Sequence, residues 1–156
     1  MVASVAPFAV RSGEGTPLAT PTGDSVCIKA HTGNTNGSLS VLELVIQPKS
    51  GPALHLHHRE DELWYVLEGD FRFKAGDALF RVSTGGMAFG PRGTPHCFQN
   101  VGDAPGRFVD RHDAVWSGAV LRGVRRAAAG TSGSFDALRR RARPWGRVRR
   151  SAGRGF

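Results

Sequence analysis

The chain has 156 residues, enough for one domain with a buried core. Its net charge of +8 would normally indicate a polyanionic partner, but the charge is unevenly placed. Residues 1–110 hold 9 basic and 11 acidic side chains, whereas residues 111–156 hold 12 arginines, no lysine and 2 aspartates. The basicity therefore belongs to the C-terminal segment, and it gives no support to a folded nucleic-acid-binding domain.

The sequence indicates neither a disulfide framework nor a membrane segment. Cys27 and Cys97 lie far apart, and each is typical of a small buried apolar residue. No window approaches the roughly 18 apolar residues of a membrane span, and the first residues lack the basic-then-apolar pattern of a leader. We therefore expect a cytoplasmic protein without a membrane partner.

Short β-strand patterns separated by turn residues follow one another up to residue 110. Residues 1–24, rich in Gly, Pro, Ser, Thr and Ala, form a loose lead-in with room for one edge strand. The patterns predict strands at 25–30, 40–47, 54–58, 63–67, 71–74, 78–82, 87–89, 96–100 and 107–109. No helical period precedes residue 110. The pattern predicts an all-β sandwich or small barrel.

Four residues of the types that bind metals stand out within these patterns. His55 and His57 are two apart, so on a strand both imidazoles leave the same face. Glu62 begins the next apolar run, and His96, from a distant strand, supplies a third imidazole. Histidines and a carboxylate that leave open positions are typical of non-haem iron sites. The alternative is that these residues belong to the scaffold and bind no metal.

The neighbours of these residues offer other assignments. His58 alternates to the opposite face from His57, which favours a surface position. Glu60 and Asp61 flank Glu62, and either would take its place if the strand register slipped by one or two residues.

Two spaced motifs resemble those of the cupin superfamily, over roughly residues 35–110. The first, His-x-His followed by Glu and Gly, is met by His55, His57, Glu62 and Gly69. The second is met by Gly85, Pro91, Gly93, His96 and Asn100. One departure is visible: the family's leading glycine falls at Lys49, and a glycine stands at Gly51 instead.

The resemblance implies a small single-domain cupin of the jelly-roll type over residues 25–110. It implies one divalent metal ion held by His55, His57, Glu62 and His96, with iron(II) favoured and manganese, nickel or zinc as alternatives. Glu62 is also a candidate catalytic base. If His96 and Glu62 point inward, Trp64, Phe98 and Asn100 do too, so these residues line a pocket or belong to the core.

For function, the resemblance points to a quercetin-dioxygenase-like protein. The first hypothesis is a metal-dependent oxygenase acting on a small, uncharged or aromatic metabolite, with an isomerase or cyclase as an alternative. The second is a non-enzymatic binding module, a sensor or storage barrel. Cupins often pair, so a homodimer is also expected. A fold alone does not choose among these chemistries.

The composition changes abruptly after Asp110. Arg, Gly and Ala make up 27 of the residues in the 111–156 segment. Three hypotheses follow: a basic arm for nucleic acid or anionic membranes, an unstructured extension, or a change of reading frame in a G+C-rich gene. The genetic code allows the shifted frame to encode an acidic, amphipathic segment resembling those of many bacterial cupins. Resequencing codons 108–112 tests the third hypothesis.

Overall fold

The computed structural model describes residues 5–20 and 22–113, and this part of the chain folds as β-strands without a helix. The strands are β1 (Thr16–Ala19), β2 (Ser25–Ala30), β3 (Leu39–Ile46), β4 (Glu62–Glu68), β5 (Asp70–Ala75), β6 (Ala78–Ser83), β7 (Met87–Gly90), β8 (His96–Asn100) and β9 (Gly106–Asp113). Accordingly, no helix within the described ranges is long and apolar enough to cross a membrane. The predicted all-β class is confirmed.

The strands form two antiparallel sheets. The larger has the order β1-β2-β3-β9-β4-β7, and the smaller has the order β6-β5-β8. Because β9 lies between β3 and β4, its inward side chains lie beside residues of the same sheet that are distant in sequence. His112 pairs with Ser40 on one side and with Glu62 on the other. This register brings the last strand of the sandwich to the predicted metal ligands.

Strand β9 runs past the change in composition. Arg111, His112 and Asp113 continue the pairing with β3, although the sequence analysis ended the barrel at Asp110. Strand β1 likewise adds an edge strand to β2 from the predicted lead-in. The remainder of the arginine-rich segment, residues 114–156, lies outside the described residues, as do the three hypotheses about it.

Alternation along the strands builds the core. Leu42, Leu44 and Ile46 of β3 are buried, while the residues between them are half-buried against neighbouring strands. Five aromatic side chains fill the space between the sheets: Trp64, Phe71, Phe73, Phe98 and Phe108. Their rings contact one another edge-on or tilted, with centroids 4.9 Å apart for Phe98 and Phe108. Trp64 joins this aromatic layer to the predicted metal ligands, because its ring centroid lies 5.4 Å from that of His96.

The segment that carries His55 and His57 is irregular and does not form the strand predicted at 54–58. Only His55 pairs, through an isolated bridge in which each backbone N–H of His55 and His96 donates to the other's carbonyl, at 3.0 and 2.8 Å. The β-pairing does not extend beyond this bridge on either side of His55. The bridge nevertheless fixes the first histidine directly opposite the third.

Lys49 stands at the position where the cupin motif has a glycine. Lys49 adopts a φ of 64°, the left-handed conformation that glycine takes without steric cost. Gly51 serves a different need, since a Cβ there would lie 2.0 Å from the carbonyl oxygen of Phe98. The turn before the histidines thus presses closely against β8, the strand that carries His96.

Candidate metal centre

The four predicted ligands come together at one place. His55, His57, Glu62 and His96 each offer a ligand atom, and all four atoms lie within 4.8 Å of one another. The carboxylate oxygen Oε2 of Glu62 is 3.2 Å from Nε2 of His57 and 2.8 Å from Nε2 of His96. Ligands around one ion at about 2.0–2.2 Å have separations of this size.

Two of the imidazoles are oriented by backbone carbonyls. Nδ1–H of His55 donates to the carbonyl of Ala53 at 2.9 Å, and Nδ1–H of His96 donates to that of Thr94 at 2.8 Å. This assignment leaves each Nε2 with its lone pair toward the cluster. A backbone acceptor for the other ring nitrogen is the usual arrangement around metal-binding histidines.

Two ligand atoms of the centre lack hydrogen-bond partners within the described part of the chain. Nε2 of His96 and Oε2 of Glu62 are both buried, and neither has a hydrogen-bond partner among the described residues. Two atoms that each carry a lone pair at 2.8 Å require a proton or a metal ion between them. The donor set, three imidazoles and one carboxylate, suits a divalent transition metal.

Glu62 is held in place by the residue two positions along its strand. The indole Nε1–H of Trp64 donates to Oε1 of Glu62 at 2.7 Å, and both side chains are buried. Burial opposes ionisation, but the adjacent imidazoles of His57 and His96 outweigh it and hold the pKa of Glu62 below its usual range. The carboxylate is therefore ionised, and its second oxygen faces the histidines.

Solvent reaches the centre from the side of the first two histidines. The side chain of His57 is 18% exposed, whereas that of His96 is fully buried. Burial is the largest influence on His55 and lowers its pKa, which keeps its imidazole neutral and able to bind a cation. The cluster is therefore accessible from the side of His57 rather than from that of His96.

Sequence analysis missed two residues beside this centre, Asp110 and His112 of β9. Nε2 of His112 lies 3.0 Å from Oδ2 of Asp110 and 3.9 Å from Oε1 of Glu62. Burial, followed by the charge of Glu62, raises the pKa of Asp110 to about 7. The signal was the alternation Phe108, Asp110, His112, which places all three on one face of a strand.

The remaining candidates lie as follows. Trp64 and Phe98 belong to the hydrophobic core, the second of the two alternatives for them. The side-chain amide of Asn100 donates to the carbonyls of Ile46 and Ala104 and accepts from the N–H of Gly102, so it braces the turn after β8. His58 is exposed. Glu60 and Asp61 are not in the cluster, which uses Glu62.

Comparison with known proteins gives the same class as the fold and site. Residues 42–112 match the family model described as Cupin domain. The uncharacterized protein MJ1618 of Methanocaldococcus jannaschii is 32% identical over 66 residues, covering 42% of this chain and 53% of that protein. Mannose-1-phosphate guanylyltransferase RfbM of Salmonella typhimurium is 27% identical over 75 residues, covering 48% of this chain and 16% of the transferase. The chain thus spans about half or less of these relatives.

Solved structures of similar fold include a predicted oxalate decarboxylase of Thermotoga maritima and KdgF from Halomonas sp. The first has a TM-score of 0.63 at 21% identity and covers 69% of this chain and all of its own. The second has a TM-score of 0.61 at 20% identity and covers 70% of this chain and 94% of its own. These likenesses establish a two-sheet jelly roll. Over residues 42–112 the chain matches the cupin family, and its fold resembles that of an RmlC-like cupin from Shewanella frigidimarina.

Proposed function

We propose that this cupin binds one divalent metal ion, with iron(II) favoured, and acts as an oxygenase on a small metabolite. The observation that carries the proposal is the convergence of His55, His57, Glu62 and His96, whose ligand atoms lie within 4.8 Å of one another; among the described residues, the buried atoms Oε2 of Glu62 and Nε2 of His96 have no hydrogen-bond partner. An iron(II) ion with open positions supplies the capacity to bind and reduce dioxygen beside a coordinated substrate.

In this proposal the surrounding residues orient the side chains that bind the ion. The carbonyls of Ala53 and Thr94 select the imidazole tautomers, and Trp64 orients the carboxylate of Glu62. Glu62 acts chiefly as a ligand, because Trp64 holds Oε1 and thereby directs Oε2 toward His57 and His96. The exposed side of His57 provides the approach for substrate.

The proposed substrate is small and either uncharged or aromatic. Among the described residues the buried polar set contains no lysine or arginine, and it includes the acidic Glu60, Glu62 and Asp110. A phosphate group entering this interior would meet negative charge without a partner. A phenol or enol oxygen, which binds a metal after losing a proton, needs no such partner.

The test is dioxygen uptake by iron(II)-loaded protein in the presence of a panel of catechols, flavonols and other small enols. We expect uptake above the protein-free rate with at least one compound, lost in Glu62→Gln and retained in His58→Ala. His58 is a matched control because it is exposed and adjacent to His57. Ligand binding without uptake would overturn the oxygenase proposal and favour a binding module. Conversion without uptake would favour an isomerase or cyclase.

A further inference from the structure

The two oxygens of Glu62 face different groups. Oε2 lies between His57 and His96, while Oε1 is directed toward Trp64 and His112. His112 in turn lies against Asp110, which comes from the same strand. Glu62 therefore stands between two sets of ligand-type side chains, and only the first set matches the motif residues.

The second set has the spacing of metal ligands. Glu62, Asp110 and His112 each offer an atom within 4.8 Å of the others, and all three side chains are buried. Nε2 of His112 is 3.0 Å from Oδ2 of Asp110 and 3.9 Å from Oε1 of Glu62. Ligands at about 2.0–2.2 Å from one ion lie roughly 3 to 4.2 Å apart, depending on the angle between them.

Buried oxygens near this set have no hydrogen-bond partner. Oδ1 of Asp110 is buried without one among the described residues, and Asp110 is 5% exposed. The hydroxyl of Ser40, which pairs with His112 across the strands, is likewise buried without one. Two buried carboxyl groups lie here without a lysine or arginine, so either protons on Asp110 and His112 or a bound cation must balance their charge.

We propose that Glu62, Asp110 and His112 form a second cation position, so that the carboxylate of Glu62 bridges a pair of divalent ions. The inference rests on the first ion of the proposed function only for the bridging, since Asp110 and His112 supply the other contacts. One imidazole and two carboxylates suit manganese, iron or zinc. The ring centroids of His57 and His112 are 5.4 Å apart, so ions on either side of Glu62 would be close neighbours.

The experiment is a manganese(II) titration of metal-free protein. Calorimetry measures the number of bound ions, and electron paramagnetic resonance measures whether they are coupled. We expect about two equivalents per chain and a spin-coupled spectrum, because bridged ions lie about 3.5–4 Å apart. Asp110→Asn and His112→Phe should each bind one equivalent and give an uncoupled spectrum. The matched control Asp77→Asn, in the exposed β5–β6 turn, should bind two.

The outcomes separate this inference from the proposed function. One equivalent in the wild type, lost in His57→Ala and retained in Asp110→Asn, would overturn the second position and leave the first. One equivalent lost in Asp110→Asn but retained in His57→Ala would support the second position, without its bridged partner, and overturn the first. Two equivalents retained in both β9 variants, or two equivalents with an uncoupled spectrum in the wild type, would also overturn the inference. The wild-type spectrum decides even if a variant fails to fold.

Discussion

Replacement of Trp64 by phenylalanine tests whether the indole orients the metal-binding carboxylate. The substitution keeps an aromatic ring in the core but removes the Nε1–H that donates to Oε1 of Glu62 at 2.7 Å. Glu62 is 3% exposed and Trp64 is fully buried, so water does not readily replace the lost donor. A hydrogen bond to a charged group contributes about 1.5–3 kcal/mol, and we expect the free energy of unfolding to fall by about that amount.

The effect on metal affinity distinguishes this role from simple packing. Loss of a group that orients a metal ligand typically weakens binding about 10–100-fold, and we expect Trp64→Phe to fall in that range. Phe73→Leu is the matched control, because Phe73 is buried with its ring 5.1 Å from that of Trp64 and belongs to the apolar core. It should reduce stability and leave metal affinity unchanged.

Urea unfolding and calorimetric metal titration of both variants provide the measurement. If the indole orients Glu62, Trp64→Phe and Phe73→Leu must differ in metal affinity, whatever their stabilities. Equal metal affinity in Trp64→Phe and wild type would refute the reasoning, since it would mean that Glu62 is positioned without the indole. Equal losses in Trp64→Phe and Phe73→Leu would show that packing alone is responsible.

Three further predictions concern the turn before the histidines and the charge of the centre. Gly51→Ala should destabilise the fold by about 3 kcal/mol or more, measured by urea unfolding, because its Cβ would overlap the carbonyl of Phe98 at 2.0 Å; a milder loss would contradict the close approach. Lys49→Gly should change stability by less than about 1 kcal/mol, while Lys49→Val should lose about 1–2 kcal/mol at the left-handed φ of 64°; equal stabilities would argue against that conformation. The metal-free protein should have a lower urea midpoint at pH 8 than at pH 6. Burial and Glu62 raise the pKa of Asp110 to about 7, and despite burial the adjacent carboxylates raise those of His96 and His112. The lowered pKa of His55 acts in the opposite sense but is one group against three, so the folded state holds more protons than the unfolded chain in this interval and stability falls as pH rises. A midpoint that rises would contradict these pKa shifts.

The strands that sequence predicted best have clear turn residues at both ends. Ser25–Ala30 and His96–Asn100 were predicted with the boundaries that the structure has. Asp24 and Pro95 precede these strands and a glycine follows each within three residues, so local pattern and tertiary pairing agree. The clustering of His55, His57, Glu62 and His96 could be predicted because the motif spacing relates residues that are distant in sequence.

Strand β9 was only partly predictable because its inner face is polar near the centre. Asp110 and His112 lie inside, while Arg111 between them lies toward the outside, so the segment resembles a charged loop rather than a strand. Only the register with Ser40 and Glu62 identifies the inward pair. The segment at His55 was wrongly predicted to be a strand. Its sequence has the alternation of a strand, but in the structure it forms only one isolated bridge.

Metal content tests most directly whether the side chains of His55, His57, Glu62 and His96 hold a metal ion. Elemental analysis would be performed on the wild type, His57→Ala and the exposed control His58→Ala, all purified without added metal. We predict near-stoichiometric or greater metal, with iron prominent, in the wild type and in His58→Ala, and a loss of about one equivalent in His57→Ala. No metal in the wild type, or equal metal in all three proteins, would contradict the claim.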